Sequence, residues 1–159
     1  MYARDQASIA TPIGVVTIIA SGELIDSVHI GGAAVSRGTS ETARNAADQL
    51  EAWFAGERQD FALNLQAPVT PRGMALRDGL IAVSYGATMS YGELALRLGS
   101  APRAIGQLCA RNPYPIIVPC HRILGSGGVL GAYSAGDGPT TKAWLLAHEQ
   151  RHQPFVLTA

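Results

Sequence analysis

The period of the apolar positions changes along the first third of the chain. Residues 8–20, SIATPIGVVTIIA, are nearly continuous in β-branched and apolar side chains, SGE interrupts them, and LIDSVHI (24–30) alternates until Gly31 and Gly32. A run and an alternating segment joined by a short polar turn predict two strands in a hairpin. Over SETARNAADQLEAWFAGE (40–57) the period becomes helical, with Leu50, Trp53 and Phe54 on one side and Gly56 as the stop. FALNLQ (61–66) then alternates again and predicts a short strand.

Pro68 and Pro71 mark the change from this strand-and-helix pattern to helices, with a helix expected from about Gly73 to Ser84. SYGELALRLGSAPRAIGQLCARNP (90–113) reads as two helices in a tight connection. Ser90 and Glu93 fit a capping box and Gly99 ends the first helix. Ser100 is placed to cap the second, Pro102 lies in its first turn and Pro113 stops it. PIIVPC (115–120) has the character of a short strand, and KAWLLAHEQ (142–150) that of a C-terminal helix. The expected class is α+β, with an α/β lobe over 1–69 and a helical one over 70–159.

Composition supports an ordered chain: 47% of residues are hydrophobic and 15% charged, enough apolar surface for a core. The N-terminus MYARDQAS lacks a basic segment followed by an apolar core, and no apolar run reaches membrane-spanning length. A soluble cytoplasmic protein with no membrane partner is expected. The 2 cysteines, Cys109 and Cys120, are expected as free thiols. No CxxC or Cys/His cluster has metal-ligand spacing and His29 stands alone, so no metal or cofactor is expected.

The net charge of zero conceals an asymmetry. Residues 1–69 hold 4 basic and 8 acidic side chains, and residues 70–159 hold 8 basic and 4 acidic. A polyanion would therefore meet the second half, because phosphate attraction follows the local field. A helix, a Gly-containing turn and a helix in that half have the form of a helix-turn-helix.

The same half contains Cys120, His121 and Arg122 in sequence. A cysteine is a nucleophile as thiolate, and a neighbouring His or Arg favours that form. Adjacent side chains on a strand point to opposite faces, so His121 can serve Cys120 only through a chain turn or a bridging water. GSGG (125–128) makes a turn plausible, and Glu149 is a candidate to orient the imidazole. From these residues alone two readings stand: a nucleophile, or a small buried side chain. Cys109, with nothing beside it to activate it, is read as a packing residue.

SYGELA, PRAIG, NP, PCHRILGSGG, GAYS and KAWLLAHE follow one another over residues 88–150. In that order they resemble the O6-alkylguanine-DNA alkyltransferases, also called methylated-DNA:protein-cysteine methyltransferases. The resemblance implies an N-terminal lobe of ribonuclease-H-like α/β type and a C-terminal lobe with a helix-turn-helix. It implies a monomer that repairs double-stranded DNA by moving the alkyl group of O6-alkylguanine, with O4-alkylthymine as a second lesion, to Cys120 in one turnover. His121 would take the thiol proton through a water, Glu149 would orient His121, Asn112 would tie the second helix to the active-site segment, and Tyr91 would donate to the leaving guanine. Arg103 would fill the gap left by the flipped nucleotide, Ala104 and Gly106 would let the helix lie in the minor groove, and Arg111 and Arg122 would join that DNA surface. Val118, Pro119, Tyr133, Ser134 and Ala135 would line the alkyl pocket.

The sequence departs from the family pattern at Arg72 and Arg77, where relatives carry aromatic side chains, at Gly79, at Ala135, and in extra residues before Lys142. Two other functions are compatible with parts of the pattern: an alkyltransferase-like protein that binds damage without transfer, and a Cys-His thiol hydrolase.

Overall fold

The computed structural model describes residues 4–32 and 35–153. Three strands, β1 (Arg4–Thr11), β2 (Gly14–Ser21) and β3 (Leu24–Ile30), form an antiparallel sheet in the order β1-β2-β3. The apolar run over 8–20 is thus two strands, not one. It folds at Pro12 and Ile13, where the Thr11 hydroxyl accepts from Ile13 N at 3.2 Å and donates to Gly14 O at 2.6 Å. Helix α1 (Glu41–Phe54) covers the sheet, capped by Ser40, whose side chain accepts from Ala43 N. Leu50 and Trp53, both 0% exposed, face the sheet core with Val16, Ile18 and Ile25. Residues 61–66 do not form the expected strand: they touch the sheet through one bridge, Ile25 to Leu65.

The second half is helical. α2 (Pro71–Ile81) starts two residues before the expected Gly73, with the Thr70 hydroxyl accepting from Gly73 N. β4 (Met89–Ser90) leads into α3 (Tyr91–Leu98), whose Ser90 cap accepts from Glu93 N at 3.0 Å. Gly99 ends α3 at φ 62 and ψ 39, a left-handed conformation that favours glycine. α4 (Pro102–Ala110) follows, and its N-cap is Ala101 rather than Ser100, so no side chain caps it. β5 (Ile123–Leu124) pairs parallel to β4, and α5 (Pro139–Arg151) closes the fold.

The halves are joined by buried polar contacts as well as apolar ones. Tyr114, 2% exposed, donates through its hydroxyl to Ile25 O at 2.7 Å and accepts from Gln66 N at 3.0 Å. Tyr114→Phe would leave both backbone groups without that partner, an expected loss of about 1–3 kcal/mol. Urea unfolding that shows no loss of stability would contradict it.

Arg77 takes part in the same joint, and Arg72 ties the start of α2 to the end of α3. Arg72 Nη2 donates to Gly99 O at 3.0 Å, and Arg77 Nη1 donates to Gln66 O at 2.8 Å with its guanidinium 6.0 Å from the Tyr114 ring centre. Gly79 allows a close approach: a Cβ there would fall 2.5 Å from Leu98 Cδ2. The departures over 72–79 therefore still form packed and hydrogen-bonded contacts. Polar atoms replace the apolar ones expected from the family pattern.

Candidate active site

The segment before Cys120 is not a strand. Val118 N donates to Tyr114 O at 2.9 Å and Cys120 N donates to Val118 O at 2.8 Å. Pro119, at φ −83 and ψ 63, sits at the centre of an inverse γ-turn, to which its ring-fixed φ is suited. Ile116 has φ 75, the only non-glycine with positive φ among the described residues. A β-branched residue there is strained, and the cost of order 1–3 kcal/mol must be met by the packing around it. The next three residues, Cys120–Arg122, make one turn of 3-10 helix. That turn removes the objection that neighbours on a strand point apart.

Asn112 fastens this segment to the end of α4. Its Nδ2 donates to Val118 O at 2.9 Å and its Oδ1 accepts from Tyr114 N at 2.9 Å. Val118 is 2% and Cys120 3% exposed, and Pro119 is buried between them.

Glu149 and His121 are both fully buried, and Glu149 accepts from four groups. His121 Nε2 lies 2.7 Å from Oε2, Arg122 Nε 3.0 Å from Oε1, Arg122 Nη2 2.8 Å from Oε2, and Gly86 N 3.1 Å from Oε1. Burial pushes the Glu149 carboxyl up, but the hydrogen bonds and charges of His121 and Arg122 outweigh it and hold the pKa at about 2. Burial lowers the His121 pKa, against the pull of Glu149, so the ring is neutral near pH 7. A neutral ring that donates from Nε2 to an ionised carboxylate carries its free lone pair on Nδ1. That nitrogen is buried and has no hydrogen-bond partner among the described residues. The Trp53 ring packs edge-on to His121 at 6.3 Å between centres, so α1 supplies a wall of this site.

Arg122 is a correction to the sequence reading. It was expected on the DNA surface, but it is 6% exposed, with its guanidinium engaged by Glu149 and by Val83 O at 2.6 Å. The tight chain turn that brings His121 to Glu149 carries Arg122 inward with it. Arg103 and Arg111 are exposed near the two ends of α4, and Ala104 and Gly106 lie half-buried between them. A Cβ on Gly106 would touch nothing within 4 Å in this chain, so its small size serves no internal packing.

Around Cys120 stand Tyr91, half-buried at the start of α3, and Tyr133. Burial raises both phenol pKa values, and the nearby thiols add to it, so both phenols keep their protons. Ser134 is exposed and Ala135 half-buried on the same loop.

Two residues here were missed by the sequence reading. Lys142, 0% exposed, reaches Ala132 O at 3.3 Å and lies 5.8 Å from the Tyr91 ring centre. Burial lowers its pKa, while the Cys109 and Cys120 thiols oppose the shift. Its position two turns before Glu149 on one helix face was a usable signal. Cys109 lies beside Cys120, a proximity across α4 that no local spacing encodes. The hydrogen bond with Cys109 and then burial push the Cys120 thiol well above its ordinary value. The resting thiol is protonated and requires a base at the moment of attack.

Residues 74–151 match the family model described as 6-O-methylguanine DNA methyltransferase, DNA binding domain. The methylated-DNA–protein-cysteine methyltransferase of Mycolicibacterium paratuberculosis is 35% identical, covering 97% of each chain, and the constitutive enzyme of Bacillus subtilis is 42% identical over 66% of this chain and 64% of its own. The crystal structure of Mycobacterium tuberculosis OGT in complex with DNA superposes with a TM-score of 0.79 at 34% identity, covering 94% of both chains. Likeness at that identity over nearly the whole length, together with an α+β architecture that ends in this Cys-His-Glu arrangement, has one consequence: the chain belongs to the methylated-DNA–protein-cysteine methyltransferase family.

Proposed function

We propose that the protein repairs O6-alkylguanine in double-stranded DNA by moving the alkyl group irreversibly to Cys120, once per molecule. The observation that carries this reading is the buried His121–Glu149 pair in the same chain turn as Cys120, on a segment that Asn112 fastens to the end of a helix with exposed Arg103 and Arg111. Residues 70–159 would form the DNA-binding and acceptor unit and 1–69 its support, in a monomer acting in the cytoplasm, where a free thiol persists. No helix among the described residues is long and apolar enough to cross a membrane.

In this reading α4 enters the minor groove, where a helix lined with Ala104 and Gly106 can lie close. Arg103 fills the stack after the damaged nucleotide rotates out, and Arg111 meets the phosphates. The Cys120 proton passes through a water to His121 Nδ1, and Glu149 accepts the Nε2 proton's hydrogen bond and stabilises the imidazolium. The thiolate attacks the alkyl carbon in line, an S–C bond forms as the C–O6 bond breaks, and the electron pair moves into the guanine ring. Tyr91 donates to the developing anion. Val118, Pro119, Tyr133, Ser134 and Ala135 border the space that the alkyl group occupies.

Incubation with a duplex oligonucleotide carrying O6-methylguanine, followed by intact-mass measurement, tests this. The expected product is a chain heavier by one methylene, formed in proportion to lesion and absent with unmethylated duplex. Binding without mass gain would indicate a damage binder, and repeated turnover of a thioester without DNA would indicate a hydrolase. Tyr91→Phe keeps the ring but not the donor, and the single-turnover rate is expected to fall by about 10²–10³-fold, as for other donors aimed at developing charge. A rate equal to the wild type would remove Tyr91 from this role.

A further inference from the structure

Trp53 lies in the last turn of α1, in the first half of the chain, yet its ring stands against the residues of the transfer site. It is 0% exposed, and its centre lies 6.3 Å from the His121 ring at 80°, 6.3 Å from the Tyr85 ring at 74° and 4.6 Å from the His148 ring. Tyr85 and His148 in turn support the groups around His121. The Tyr85 ring centre is 5.6 Å from the Arg122 guanidinium carbon, and His148 precedes Glu149 in α5.

The backbone of Trp53 makes the same connection. Carbonyl oxygens at the end of a helix lack partners within it, and that of Trp53 accepts from His148 Nε2 at 2.8 Å and from Gly56 N at 3.1 Å. His148 is 1% exposed, and its ring stacks on Trp144 at 5.0 Å and 14°, which keeps it in place. Gly56, at φ 77, lets α1 approach α5 closely: a Cβ there would fall 2.1 Å from His152 Cδ2. The last turn of α1 is thus joined to the turn of α5 that carries Glu149.

We propose that Trp53 is a positioning residue for alkyl transfer: its ring, held by His148, fixes the plane of the His121 imidazole so that Nδ1 is aimed to take the proton of Cys120. This positioning rests on the proposed transfer at Cys120. Glu149 holds His121 at one atom, Nε2. The second side-chain torsion of histidine has no sharp wells of its own, so one hydrogen bond leaves the ring able to turn about that contact. A flat neighbour removes the freedom, and ring pairs at about 4.5–7 Å prefer the edge-to-face angle that Trp53 and His121 adopt. The second half of the chain supplies the reacting groups, and the first supplies the surface that aims one of them.

Trp53→Leu tests this through rate, extent and spectrum. At saturating O6-methylguanine duplex the single-turnover rate should fall by about 10²-fold, the cost of a misplacement of about 1 Å. The extent should still reach one methyl group per folded chain. Loss of folded protein alone would lower the extent and leave the rate unchanged, a result that would overturn the proposal. Trp53→Phe, with a smaller ring in the same place, should be slower than wild type and faster than Trp53→Leu, and equal rates in the two variants would overturn the role of the ring. Nitrogen-15 spectra of His121 near pH 7, without DNA, read the imidazole directly. Wild type should give separate signals for one protonated and one bare nitrogen, and Trp53→Leu should merge or broaden them as the ring turns. Unchanged signals in that variant would overturn the proposal whatever the transfer assay gives. No transfer in wild type together with the expected spectral change would sink the transfer reading and still support the hold of Trp53 on His121. Should Trp53→Leu fail to fold, Trp53→Phe decides, and a wild-type rate with wild-type signals in it would overturn the proposal.

Discussion

Cys120→Ser is expected to bind duplex DNA containing O6-methylguanine and to gain no mass over any practical incubation. The serine hydroxyl is small enough for a site that is 3% exposed, so the fold is expected to survive the change. The chemistry does not survive the change. A thiol brought into contact with His121 Nδ1 through a water can become thiolate, because sulfur holds negative charge far better than a hydroxyl oxygen does. A serine hydroxyl holds its proton far more tightly, and the neutral His121 imidazole is too weak a base to remove it. An alkyl carbon also offers no carbonyl oxygen to take up charge, so the site has no intermediate with which to assist a weak nucleophile. Binding assays and intact mass together give the discrimination. Tight binding with no mass gain in the variant and one methylene in the wild type is the expected pair of results. A methylated Cys120→Ser chain would place the acceptor elsewhere, with Cys109 the first residue to map.

Much of this site could be read in the sequence because its parts are short motifs with local causes. The Ser90 cap with Glu93, the left-handed Gly99 and Pro102 in the first turn of α4 were all legible, since each depends on a few neighbouring residues. Asn112 before Pro113 likewise acts over a short span, on Val118 O and Tyr114 N. What the sequence concealed was either a change of direction or a contact over distance. Residues 115–120 have strand composition, but the Pro119 turn and the positive φ of Ile116 override propensity. The extended reading of the apolar run over 8–20 failed because a two-residue turn at Pro12 and Ile13 leaves no polar gap. Arg122 looked like a phosphate contact because basic residues are usually exposed. Only the approach of α5 shows that its partner is a buried carboxylate 27 residues away. Cys109 and Lys142 were missed for the same reason, as their meaning lies in what the fold brings beside them.

Glu149→Gln should cost about 3–5 kcal/mol of stability, the range for breaking a buried ion pair from one side. The wild-type carboxylate is surrounded by donors only: His121 Nε2, Arg122 Nε and Nη2, and Gly86 N. A glutamine has one acceptor oxygen, and its amide nitrogen would face donors whichever way it is turned. Arg122 would remain buried with its charge uncompensated. For a domain of this size the melting temperature is expected to drop by roughly 10 °C. The pH dependence distinguishes loss of the charge from a packing defect. Because the folded carboxyl is held at about 2, below its ordinary 4.5, its contribution is complete above pH 4.5 and disappears as pH falls through 2. The difference between wild type and variant should therefore be large at pH 7 and shrink across that interval, whereas a pure packing defect would stay constant. Transfer should fall as well, since an imidazole without its carboxylate is neither oriented nor stabilised when it takes the Cys120 proton. Replacing the pair together, Glu149→Leu with Arg122→Met, is expected to recover most of the stability, because the buried charge goes with its partner. It should not recover the transfer rate, because His121 then has nothing to fix its tautomer. A double variant that regains both would show that Glu149 acts on the fold alone.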